Sequence, residues 1–85
     1  MIYLEDITDE VQAMAIVPEL EVAAIEATEA ITNKRNKIIR AEADIKMVMK
    51  LCVVRKWQDP MKRLQQMLDR LGEAKAELQF NLWRS

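Results

Sequence analysis

Apolar side chains recur along this 85-residue chain at alternating steps of four and three, the spacing that lines up one face of an α-helix. From Leu20 the series runs through Ala24, Ala27, Ile31, Lys34, Ile38, Ala41, Ile45, Val48 and Cys52. It makes a heptad seam, with Ala24, Ile31, Ile38, Ile45 and Cys52 in one row and the others in the second. The small residues of the second row let another helix come close. No Gly or Pro lies between Pro18 and Gln58, so the pattern predicts one continuous helix over 18–58. At about 1.5 Å per residue it would be roughly 60 Å long, against about 30 Å for a compact globule of this chain length. The weak point is Thr32-Asn33-Lys34-Arg35-Asn36, where modest helix propensity allows a break instead.

Two prolines punctuate the pattern. Ahead of Pro18, the apolar lead Met1-Ile-Tyr-Leu4 gives way to a short helix capped by Asp6 or Thr8, with Ile7, Val11, Met14 and Ile16 toward one face. Pro18 is expected to end it and to open the long helix, because the residue before a proline avoids the helical region. Asp59-Pro60 is expected to stop the long helix near Gln58 and to start another, with Asp59 as cap. Beyond it Met61, Leu64, Leu68, Leu71, Leu78 and Leu82 follow helical spacing. Gly72 interrupts them without shifting their phase, so it is read as lying inside the helix, with a helix end there as the alternative.

The predicted fold is therefore all-α and a single small domain over 1–85. A short N-terminal helix leads into a long central helix, and a third helix returns antiparallel to form a hairpin over 34–85. The packing seam comprises Leu20, Ala24, Ala27, Ile31, Ile38, Ala41, Ile45, Val48, Cys52, Leu64, Leu68, Leu71 and Leu78. Its simplest reading is hairpin packing; an intermolecular coiled coil is the alternative. The segment Met47–Trp57 is apolar at eight of eleven positions around the whole circumference, so it needs cover on all sides. A second subunit is the expected cover. A strand is the competing reading of its β-branched run.

Charge changes this picture from hairpin to assembly. Residues 1–33 carry eight acidic side chains and no basic one, whereas 34–63 carry ten basic and three acidic, inside a net charge of −1. Such a dipolar chain tends to meet partners or copies of itself with opposite regions facing. The candidate interface is Glu26, Glu29, Lys34, Arg35, Lys37 and Arg40, joined by Trp83 because tryptophan is enriched among interface anchors.

Composition narrows the chemistry. The sequence has no histidine, one glycine and one cysteine, which removes the commonest general base and zinc ligand, phosphate-binding glycine loops and an internal disulfide. Cys52 on the seam reads as a small buried hydrophobe. The carboxylates lack calcium-loop spacing and a Glu-x-x-His element. No catalytic residue, metal, cofactor or small-molecule substrate is expected. Lys46, Lys50 and Arg55 break the most apolar stretch, so no membrane span is expected, and acidic residues stand where a signal peptide would be basic. The expected setting is intracellular, cytoplasmic or within a virion or other large particle.

The expected function is that of a non-enzymatic structural or adaptor subunit. It would act by helix packing with protein partners, in a homo-oligomer or a larger assembly. Two alternatives stand beside it. One is a helical protein that meets nucleic acid through the basic 34–63 segment, although turns of 100° per residue scatter those charges around the axis. The other is a small inhibitor that docks on an enzyme through its acidic segment.

Overall fold

A short polar interval decides the architecture. Asn is one of the few residues besides Gly that enters the left-handed region readily. In the computed structural model, which describes residues 7–84 and side chains as far as Phe80, Asn33 sits there at φ 54°. Ala30 leaves the preceding helix in an extended conformation, and the chain reverses. The continuous 18–58 helix therefore does not form; the break takes its place. Three helices result: α1 (Glu10–Glu29), α2 (Lys34–Arg55) and α3 (Gln58–Arg84), each packed against both others. The fold is an all-α bundle, 46 Å along its longest axis.

Pro18 corrects the second expectation, for it lies inside α1 and does not end it. A proline there removes one hydrogen bond to the carbonyl four residues back. Pro18 is on the exposed side of the helix, where water can satisfy that carbonyl. The cap is also one residue later than Thr8. Asp9 Oδ1 accepts from the Gln12 N–H at 2.9 Å, while Gln12 Oε1 reaches back to the Thr8 N–H and hydroxyl, a reciprocal pattern of the capping-box kind. Asp6 and the lead Met1–Leu4 lie outside the described residues.

The second turn is made before Asp59-Pro60. Lys56 adopts the left-handed conformation at φ 60°. Its N–H donates to the Val53 carbonyl, and the Trp57 N–H donates to the Cys52 carbonyl at 2.9 Å, which is a Schellman ending. Asp59 is thus an acidic residue of the first turn of α3 rather than its cap, and Pro60 is buried in that turn, where no N–H is required. Gly72 is inside α3, as read.

The core holds most of the predicted seam. Leu20, Ala24 and Ala27 of α1, Ile38, Ala41, Ile45, Val48 and Cys52 of α2, and Leu64 and Leu71 of α3 are buried. Leu68 and Leu78 pack against them half-buried. Ile31 is the exception at 97% exposed, because the chain turns there and carries it out of the seam. Ile7, Ala13, Val17 and Met67 join the core without having been placed in the seam. The small residues do admit a close helix, but that helix belongs to the same chain. Residues 47–55 are helical, which removes the strand reading. The side chains of Leu82 and Trp83 lie beyond the described ones.

Candidate interaction surface

Acidic α1 runs antiparallel to basic α2, so the two charge blocks meet within one chain. Glu26 and Glu29 stand in the last turns of α1, and Lys34, Arg35 and Lys37 in the first turns of α2. Each set is unfavourably placed for the dipole of its own helix. Antiparallel packing puts the positive N-terminus of α2 beside the glutamates and the negative C-terminus of α1 beside the basic residues. Charges wrong for their own helix are right for its neighbour.

A shallow groove of about 260 Å³ runs between these helices, lined by Ala23, Glu26 and Ala27 from α1 and by Lys37, Arg40, Ala41 and Asp44 from α2. Its walls identify two surface rows by helical spacing. The α1 row is Gln12, Ile16, Glu19, Ala23 and Glu26; the α2 row is Lys37, Arg40, Asp44, Met47, Leu51 and Val54. Of the candidate interface residues, Glu26, Lys37 and Arg40 come together here. Lys37 and Arg40 also form a polar patch with Asn33 and Asn36 near the turn. Glu29 is exposed on α1 and Lys34 half-buried at the start of α2, and neither lines the groove. Arg35 is exposed and also outside it, and the side chain of Trp83 is not among those described.

The rest of the surface has a different character. Lys75 Nζ of α3 pairs with Glu42 Oε1 of α2 at 3.4 Å. Neither residue stood out in the sequence, because a pair 33 residues apart has no local signal. At the other end of the α1/α2 face, Met47 is 40% exposed and Val54 76%, and Ile16 and Leu51 are half-buried. The all-round apolar segment is therefore covered in part by α1 and α3 and in part by none of the described residues. The groove alanines were legible only as small seam residues; their alignment with the charged row needed the turn at Ala30–Asn33.

Cys52 is buried in the core. Burial pushes its thiol above the ordinary value, the Glu10 carboxylate raises it further, and a backbone hydrogen bond acts in the opposite direction. A raised pKa and burial together make it a poor thiolate nucleophile. Among the described residues no group of three or more cysteines and carboxylates is placed to hold a metal ion, and no helix is long and apolar enough to cross a membrane. Comparison with known protein families, with curated proteins and with solved structures finds no match to this chain.

Proposed function

We propose that this protein is a non-enzymatic structural or adaptor subunit that works by packing helices against protein partners, in a homo-oligomer or a larger assembly. The observation that carries the reading is the bare apolar end of the α1/α2 face. Single exposed apolar residues are ordinary on a soluble surface. Met47 and Val54, seven residues apart, instead fall on one stripe of α2 with half-buried Leu51 and toward half-buried Ile16 of α1, and contiguous apolar patches of this kind mark interaction sites. Charged rows continue the same face, which suits a specific partner better than indiscriminate adhesion. A place in a larger particle, a virion included, would use the same surface.

Light scattering over a range of protein and salt concentrations tests this reading. A mass above that of the 9.9 kDa chain, rising with concentration, is the expected result. A monomer at every concentration would contradict the homo-oligomeric form of the proposal. A second reading, contact with nucleic-acid phosphates, has one supporting observation, the patch of Lys37 and Arg40 with Asn33 and Asn36. Binding to duplex or single strands that weakens steeply with salt would support it; no binding at low salt would remove it.

A further inference from the structure

We infer that the α1/α2 face is a two-fold self-association surface, on which α1 of one copy lies antiparallel on α2 of a second copy. The inference rests on the assembly reading above and names its partner and geometry. Two arrangements bring this face against itself with closed symmetry. A two-fold axis across the helices sets α1 on α1 and α2 on α2. A two-fold axis along the bundle sets α1 on the partner's α2, twice, with equal heights opposed.

Charge separates the two. All five ionisable side chains of α1 are glutamates, so the transverse axis opposes acid to acid along α1 and leaves Lys37 and Arg40 with no acidic row across the interface. It also sets the apolar end of the face against the charged end of its partner. The longitudinal axis reverses both faults. Glu26 then meets the partner's basic row near Arg40, and the apolar ends carrying Met47, Leu51 and Val54 come to equal heights, each over the partner's α1 near Ile16. The size of the face agrees. Two helices about 30 Å long and about 10 Å apart present roughly 600 Å² per copy, or about 1,200 Å² in total, at the lower end of stable interfaces. A single-helix contact would bury about half of that.

Reversing one row at a time tests the pairing. A chain with Glu19→Lys and Glu26→Lys opposes basic to basic, and a chain with Lys37→Glu and Arg40→Glu opposes acidic to acidic. All four side chains are exposed, and circular dichroism melts confirm that each variant folds. By sedimentation, the wild type is expected as a dimer of twice the chain mass. Each variant alone should dissociate at least about tenfold more readily, since two desolvated charge contacts change sign per dimer. An equimolar mixture should recover the dimer as a heterodimer. Val54→Asp, at a position the fold leaves bare, should weaken the dimer in high salt as well as low.

A wild-type oligomer indifferent to both reversals would overturn the proposed face while leaving assembly itself intact. Two variants that each dissociate but do not re-form a heterodimer on mixing would overturn the α1-on-α2 pairing. A wild type that stays monomeric at millimolar concentration and low salt would remove self-association altogether.

Discussion

The α2–α3 pairing and the α1–α2 pairing use the same kind of helix and differ in how completely they satisfy themselves. Between α2 and α3, large side chains fill the contact, with Leu64, Leu71, Ile45 and Val48 fully buried. Glu42 and Lys75 close its flank as an ion pair. Between α1 and α2, alanines such as Ala27 and Ala41 let the helices approach, while Glu26, Lys37 and Arg40 line one groove without forming an ion pair among the described residues. The first pairing is finished within the chain. The second has apolar surface and charge left over, and that surplus is what a partner would use.

The largest effect expected from breaking this comparison is at Leu64. Leu64→Ala leaves a cavity at a site with no exposure and should cost about 2–5 kcal/mol by urea unfolding, enough to threaten a domain of this size. Ala27→Leu attacks the other pairing by overfilling it. With Ala41 facing the same groove, the added atoms should cost about 1–3 kcal/mol; a variant of unchanged stability would mean that α1 stands off from α2. Lys75→Ala should have the smallest effect. Its side chain is 38% exposed, so losing the pair is worth about 0.5 kcal/mol or less after solvent screening, and a double-mutant cycle with Glu42→Ala should return a coupling of that order.

The same contrast explains how much could be read from the sequence. The hairpin of α2 and α3 was legible because leucines and isoleucines on one stripe leave a single way to bury them. Pro18 misled because proline carries two signals, helix end and tolerated interior, and only solvent exposure on the outer side of α1 selects the second. The break at Ala30–Asn33 was visible as a weak interval, but local propensity could not weigh it against burial gained when α1 folds back. Ile31 fitted the heptad by count and left the core because the turn falls on it. Of the candidate interface, Glu26, Lys37 and Arg40 were within reach of a charge argument. Their convergence on one groove was not, since it depends on which faces of α1 and α2 meet. The Glu42–Lys75 pair is a tertiary fact with no sequence signature.

Cross-linking between copies tests the central claim most directly. One chain carries Glu26→Cys and another Arg40→Cys, both exposed positions, while native Cys52 stays buried. The two are mixed under mild oxidation. The longitudinal two-fold predicts a disulfide-linked heterodimer in the mixture and little linkage in either chain alone. Linkage of the Glu26→Cys chain to itself, or none in the mixture, would contradict it.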